Sequence, residues 1–238
     1  MQDCYTGDIG DYVKYALLRK LAEGHQLGVA WYLFPDENRD GGHTKYLQDP
    51  DHWSGHDPKL FNKLKQIVEG DKRGVSRRKV SQIEESGILG TARFSSEILF
   101  APKLTPAQRR DWRSRWFENV LAELEDCDVV FADPDNGLCE DEKFRPGRVK
   151  HWKRLRLCEA KALAKGRTAI IYHHNTRRRG GHEQEIAYWK GRLGPGTLAL
   201  RWRRYGNRTF FVMNPAPNMD KRLEKFAREW GQKAEVYR

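Results

Sequence analysis

The sequence lacks the features that mark several common classes of protein. Its four cysteines, Cys4, Cys127, Cys139 and Cys158, form no C-x-x-C pair, so their spacing does not favour a zinc knuckle or a thioredoxin-like motif. The N-terminal region has no apolar stretch typical of a signal peptide, and no apolar run approaches the length of a membrane span. Internal repeats and low-complexity tracts are also absent. We therefore expect a cytoplasmic protein that has no membrane partner.

Acidic residues are scarce relative to basic ones. The 238 residues include 33 Asp and Glu but 44 Lys and Arg, which gives a formal net charge of +11. Such an excess indicates a polyanionic partner, with nucleic acid as the first candidate, although a basic protein can also simply be well solvated. Arginine binds phosphate with two parallel hydrogen bonds, and nearby aromatic rings can stack on unpaired bases. We predict nucleic-acid contacts from Arg177, Arg178, Arg179, Arg203 and Arg204.

The order of apolar patterns predicts one α/β domain over residues 1–238, with a polar loop and helical insert at about 35–75. Alternating helices and strands are typical of a mostly parallel sheet, and two last strands separated by Gly206-Asn207 predict a C-terminal antiparallel hairpin. The predicted helices cover 11–23, 58–69, 105–126, 150–165, 180–194 and 219–230, and the predicted strands cover 27–34, 79–85, 92–99, 128–133, 167–175, 197–205 and 208–215.

The stretch "DVVFADPDNGL" from Asp128 to Leu138 is the strongest candidate for a functional site. An apolar strand ends there in two carboxylates and an amide, and ligands of parallel sheets bind outside the carboxyl ends of the strands. The ends of the strands at Phe34 and His173 are expected at the same edge. The alternative is a turn in which Asp and Asn only cap the next element.

Several motifs together resemble a known enzyme family. "GDIGDYVKYALL" near the start, Gly41-Gly42 after the first strand, "ADPDN" from Ala132 to Asn136 and Asn214-Pro215 in "VMNPAP" occur in this order. In order and spacing they resemble the adenine-N6 methyltransferases of large-subunit ribosomal RNA, which have a Rossmann-like fold and use S-adenosylmethionine. The chain also resembles an uncharacterised bacterial family that shares "GDxxDYxKY" and "DPDNG", and that resemblance implies no activity.

The first resemblance implies roles for particular residues. The side chain of Asp133 and the carbonyl of Pro134 would accept hydrogen bonds from an adenine amine and orient its nitrogen toward the methyl group. Asp135 and Asn136 complete the implied catalytic motif, but they replace a proline and an aromatic residue, so a ring that stacks on the base must come from elsewhere. The implied cofactor-binding residues are Lys14, Phe34, Asp40, Gly41 and Glu84.

Two other functions remain open at this stage. Asp36, Asp133 and Asp135 offer the oxygen ligands that Mg²⁺ prefers, with His43, His173 or His174 nearby in the predicted fold. These residues would suit a metal-dependent nuclease or phosphodiesterase. The third hypothesis is that the protein has the same fold but binds nucleic acid without catalysing a reaction.

Overall fold

A computed structural model describes residues 1–37, 42–70 and 78–238, and it contains a seven-stranded sheet. The order across this sheet is β2-β1-β3-β6-β8-β7-β9. The strands are β1 (Leu27–Trp31), β2 (Arg93–Ser95), β3 (Val129–Asp133), β6 (Thr168–His174), β7 (Leu198–Trp202), β8 (Arg208–Met213) and β9 (Ala234–Tyr237), and a separate pair is formed by β4 (Leu138–Cys139) and β5 (Leu155–Arg156).

The centre of the sheet is parallel, as predicted for an α/β protein. β1 pairs in parallel with β2 and with β3, and β3 pairs in parallel with β6. β8 pairs antiparallel with β6 and with β7, and β9 pairs antiparallel with β7. The carboxyl ends of β1, β3 and β6 therefore meet at one edge, which confirms the predicted common edge after Phe34, Asp133 and His173.

Helices cover both faces of the sheet and divide the core into two hydrophobic clusters. Val29 and Trp31 of β1 face one cluster, whereas Ala30 and Tyr32 face the other, because successive side chains of a strand point to opposite faces. The first cluster packs on α1 (Ile9–Leu21), α2 (Pro50–Trp53), α3 (Pro58–Glu69), α4 (Ser81–Glu85) and α8 (Met219–Trp230), and the second on α5 (Pro106–Glu123), α6 (Leu157–Leu163) and α7 (Gly181–Leu193).

Three local predictions differ from the structure. The predicted strand at 79–85 is wrong, since Ser81–Glu85 form α4. Val80, the residue before α4, and Ile83 are buried, and their spacing of three residues places both on one face of a helical turn, whereas a strand would point them to opposite faces. The strand at 92–99 is limited to Arg93–Ser95, and the helix at 150–165 is limited to Leu157–Leu163 after a short 3₁₀ turn.

Within the described ranges, none of the helices is both long and apolar enough to cross a membrane.

Candidate functional site

The strand order reverses at β1, and this reversal creates a place for a ligand. β2 lies on one side of β1 and β3 lies on the other, with Trp31 directly opposite Asp133 at the carboxyl ends. Connections that leave two neighbouring parallel strands in opposite directions open a crevice between their carboxyl ends. Asp133 therefore stands at the switch point of this sheet, where ligands of doubly wound folds bind.

An open cleft of about 830 Å³ occupies this position. Its volume lies within the range of roughly 300–1,000 Å³ that is usual for small-molecule sites. Its wall is rich in charges of both signs together with aromatic rings: Met1, Gln2, Tyr5, Asp8, Gly10, Asp11, Lys14, Glu37, Gly42, His43, Asp133, Asp135, Asn136, Lys150, Lys153, Tyr172, His174, Tyr205, Gly206 and Arg208.

Lys14 ties the start of the chain to the end of β3. Its Nζ lies 2.7 Å from Asp11 Oδ1 and 2.7 Å from Asp133 Oδ2, and all three side chains are at least 96% buried. Burial alone would lower the pKa of the Lys14 ammonium, but the two carboxylates raise it above its ordinary value. Burial raises the pKa of Asp11 to about 6, against the opposing effect of Lys14.

The geometry of α1 explains how this cluster forms. Asp8 caps the helix by accepting a hydrogen bond from the Asp11 backbone N–H at 2.9 Å. Asp11 in turn accepts a hydrogen bond from the Gly7 N–H at 2.9 Å, and its position three residues before Lys14 places both side chains on one face of the helix. The "GDxxDYxK" motif is therefore a capped helix start whose inner face carries the ion pair to Asp133.

Asp135 and Asn136 occupy different environments. Asp135 accepts a hydrogen bond from Gln2 Nε2 at 2.7 Å and lies 3.1 Å from Lys153 Nζ, which also pairs with Glu37 at 2.7 Å. Burial favours the neutral carboxyl, but the amino group of Met1, together with Lys153 and Gln2, holds the pKa of Asp135 below its ordinary value. The Asn136 side chain is exposed at the cleft, and its backbone N–H donates to the Lys153 carbonyl.

Gly137 is required by the turn that follows. Its φ of +68° lies in the left-handed region, and an added Cβ would stand 2.4 Å from His173 Nδ1. The Leu138 backbone N–H donates to that same nitrogen at 3.0 Å. The end of β3 is therefore held directly against the end of β6, which fixes where Asp133 and Asp135 point.

His173 is a structural residue. Because Nδ1 accepts from Leu138, the proton of the neutral ring is on Nε2, which donates to Glu185 Oε1 at 3.2 Å. Glu185 also accepts hydrogen bonds from the Thr176 N–H and hydroxyl. Burial would raise the pKa of Glu185, but the bonds from His173 and Thr176 lower it to about 2. With both ring nitrogens engaged, His173 has no free position for acid–base chemistry.

Arg208 is a buried cation with spare hydrogen-bonding capacity. It is 6% exposed, lines the cleft and donates from Nη2 to the Tyr205 carbonyl at 3.2 Å. Its Nε has no hydrogen-bond partner, and among the described residues no carboxylate lies within 4.0 Å of it. Gly10 leaves the necessary space, because a Cβ there would stand 1.8 Å from Arg208 Nη1.

The structure brings together part of the predicted site. Lys14, Asp133, Asp135 and Asn136 line the cleft, and the Pro134 carbonyl follows directly at the strand end, where it accepts the Gly137 N–H at 3.3 Å. Asp40 and Gly41 lie outside the described residues.

Phe34 and Glu84 do not line the cleft. Phe34 is buried in the cluster on the other face of the sheet, with Lys153 Nζ 4.6 Å from its ring centre. Glu84 was predicted at a strand end but belongs to α4, where it accepts hydrogen bonds from Trp31 Nε1 at 2.9 Å and from the Ser96 hydroxyl. It is therefore a packing residue that joins α4 to the ends of β1 and β2.

The predicted magnesium ligands do not gather. Asp36 is exposed and accepts the Cys4 backbone N–H at 3.0 Å, while Asp133 and Asp135 are each held by a lysine. Across residues 1–37, 42–70 and 78–238, no group of three His, Cys, Asp or Glu side chains has the geometry to hold a metal ion.

The predicted nucleic-acid residues lie near the same edge but differ in their partners. Arg177 and Arg179 are exposed just after β6, while the Arg178 guanidinium lies 3.6 Å from the centre of the Tyr188 ring. Arg203 is paired with Glu235. Arg204 instead lies over Trp53 and Tyr205, at 4.9 and 5.1 Å from the ring centres.

Gln2, Lys153 and Arg208 are among the residues of the cleft that sequence reasoning missed. Gln2 and Lys153 are far from Asp135 along the chain, and only the fold brings them to its carboxylate. Arg208 lies in the basic segment "RWRRYGNR", where nothing distinguishes it from its neighbours. The signal that sets Arg208 apart is that it begins the apolar stretch that forms the buried strand β8.

No protein-family model and no curated protein matches the chain, so neither comparison assigns a role to the residues of the cleft.

Proposed function

We propose that this protein is an S-adenosylmethionine-dependent methyltransferase-like enzyme that acts on a base amine of nucleic acid. The observation that carries the proposal is the place of Asp133, at the carboxyl end of β3 in a charged cleft at the switch point of the sheet. The reversal at β1 and the antiparallel β7–β8 pair also suit a Rossmann-like sheet that ends in a hairpin.

The cleft matches the charges of the cofactor. S-adenosylmethionine carries a carboxylate, an ammonium group and a sulfonium centre on an adenosine. The Arg208 guanidinium, which lines the cleft and forms no ion pair with a carboxylate of the described residues, would hold the carboxylate. Asp8 would accept hydrogen bonds from the ammonium or ribose hydroxyls, and the rings of Tyr5 and Tyr172 offer surfaces for the adenine.

The chain's own groups would orient the substrate. Lys14 holds Asp133 Oδ2, and Asp133 Oδ1 accepts no hydrogen bond from the residues that the structure describes. That oxygen and the Pro134 carbonyl are the acceptors for the two hydrogens of a base amine, which turns the nitrogen lone pair toward the cleft. The cofactor, when bound, supplies the electrophilic methyl group.

Arg208 gives a sharp test of cofactor binding. We expect calorimetry to show binding of S-adenosylmethionine, and Arg208→Gln to weaken it by about tenfold or more, since a hydrogen bond to a charged group contributes roughly 1.5–3 kcal/mol. 5′-Methylthioadenosine lacks the carboxylate, so its affinity should be the same for the wild type and the variant.

Arg93→Gln is the matched control, because Arg93 pairs with Asp126 near the opposite edge of the sheet. Failure of the wild type to bind S-adenosylmethionine at millimolar concentration would overturn the proposal. Metal-dependent cleavage of RNA or DNA that is lost in Asp133→Asn would support a phosphodiesterase instead. Oligonucleotide binding with neither activity would leave a non-catalytic binding protein.

A further inference from the structure

Tyr205 is an exposed aromatic residue at the rim of the cleft. It belongs to the segment 203–207 between β7 and β8, and its side chain is 42% exposed. Its φ of +54° lies in the left-handed region, which a bulky residue rarely adopts. Local strain of this kind persists where the surroundings enforce it, and such residues concentrate at binding sites. The Arg208 guanidinium, which donates to the Tyr205 carbonyl, helps to fix this conformation.

Two cations without an acidic partner lie next to each other near this ring, since Arg204 lies over Tyr205 and shares a contact to His52 with Lys233. Arg204 Nη1 is 3.1 Å and Lys233 Nζ is 2.9 Å from the same His52 Nε2. This nitrogen accepts both hydrogen bonds, because arginine and lysine side chains can only donate. Both cations also lie over the Trp53 ring, at 4.9 and 4.4 Å from its centre. Among the described residues, no carboxylate forms an ion pair with either one.

The repulsion between these two cations prepares the site for an anion. Burial and the nearby Arg204 lower the pKa of Lys233, as expected for an ammonium whose charge is not neutralised. Arg203, the neighbour of Arg204 in the sequence, is already paired with Glu235 and offers no site for an anion. A phosphate group between Arg204 and Lys233 would supply the missing negative charge.

We propose that Tyr205, Arg204 and Lys233 form a binding platform for single-stranded nucleic acid, in which a base stacks on Tyr205 and a backbone phosphate binds the two cations. The inference rests on the proposed function in one respect, namely the methyl transfer that the bound strand would undergo. It also supplies the stacking ring that Asn136 does not provide at the end of β3. A duplex is a poor ligand for this platform, because its bases are already stacked on one another.

The test measures the binding of short fluorescein-labelled RNA and DNA strands, and of the corresponding duplexes, by fluorescence anisotropy. We expect single strands to bind more tightly than duplexes, and the RNA and DNA arms show whether a 2′-hydroxyl contributes. Tyr205→Asn should weaken single-strand binding by about tenfold, whereas Tyr205→Phe should bind like the wild type. Asparagine tolerates the left-handed region, so this variant keeps the loop without the ring.

Arg204→Gln and Lys233→Gln test the phosphate contact. The double variant, which loses both contacts to the one phosphate, should reduce the slope of log affinity against log salt concentration by about 0.7, the value for one phosphate of a single strand, and each single variant should weaken binding with a smaller change in slope. Arg93→Gln removes one charge from a residue that is already paired with Asp126, and it should leave the slope unchanged.

Wild-type affinity in Tyr205→Asn, or equal affinity for duplex and single strand, would overturn the platform. The two proposals fail separately. If S-adenosylmethionine does not bind but oligonucleotide affinity still depends on Tyr205, the platform stands and the methyltransferase does not. If the cofactor binds and the Tyr205 and Arg204 variants bind strands normally, only the platform falls.

Discussion

At the scale of single residues, Lys14 decides whether the candidate site can exist. Its buried ammonium contacts both Asp11 and Asp133. Without it, these two carboxylates would be buried next to each other with their charges unpaired. Burial makes an unpaired charge costly, and the gain from pairing offsets that cost only while every partner is present. The ion pair occupies Oδ2 of Asp133, whereas Oδ1 accepts no hydrogen bond from the residues that the structure describes.

We therefore expect Lys14→Met to lower the free energy of unfolding by about 3–5 kcal/mol near neutral pH, because it leaves two buried carboxylates unpaired. Urea denaturation measures the change. Arg93→Met breaks an ion pair with Asp126 in which both side chains are at least half exposed, and it should cost less than about 1 kcal/mol. Equal losses in the two variants would show that the Lys14 cluster is not the strong contact that its burial implies.

At the scale of elements, the link between β6 and α7 depends on Glu185. This residue of α7 accepts hydrogen bonds from His173 in β6 and from Thr176 in the connecting segment. His173 in turn holds Leu138, so the position of α7 is transmitted to the turn after Asp133. Arg177, Arg178 and Arg179 follow Thr176 directly, and the same contacts anchor the start of that arginine segment.

The lowered pKa of Glu185 predicts a loss of stability in acid. Its pKa is about 2 in the folded protein and 4.5 in the unfolded chain, so its contribution is complete above pH 4.5 and is lost as the pH falls toward 2. Between about pH 7 and about pH 3, the wild type should lose about 2 kcal/mol more than Glu185→Gln, as measured by urea denaturation.

Glu123→Gln removes an exposed carboxyl on α5 and serves as the control. Its acid-induced loss should equal that of the wild type. If Glu185→Gln also behaves like the wild type, the bonds from His173 and Thr176 do not stabilise the ionised carboxyl.

At the scale of the whole molecule, the net charge of +11 is concentrated in part at the edge that carries the cleft. Arg177–Arg179 begin three residues after His174, which lines the cleft. Arg204 lies over Tyr205 at the rim of the cleft, and Lys233 meets Arg204 at His52. A polyanion guided by this charge would reach the edge where Asp133 stands.

Replacing Arg177, Arg178 and Arg179 by Gln should therefore weaken oligonucleotide binding and make it less sensitive to salt. If all three contact a single strand, the slope of log affinity against log salt concentration falls by about 2. The triple replacement of Lys221, Lys225 and Arg228 by Gln removes the same charge from the exposed face of α8. A similar change in slope for both variants would show that only net charge matters, and not its placement.

Local pattern was enough for much of the fold. The continuous apolar runs before Phe34 and Asp133 predicted buried parallel strands, because such strands are covered on both faces and need no polar side. It also placed Asp133 and Asp135 at the carboxyl edge. The prediction was wrong at 79–85, where the segment is short and the two apolar residues, three apart, fit one face of a helical turn and pack against the core in α4.

By itself, the sequence determined the α/β class, the edge at which a ligand site would lie and the motif residues that stand there, since strand periodicity and turn chemistry are local properties. Only the tertiary structure decided which charges meet: Lys14 with Asp133, Lys153 with Asp135, and Arg204 with Lys233 around His52. These partners are far apart along the chain, and the energy of a charge depends on its burial and neighbours in space, which no local pattern records.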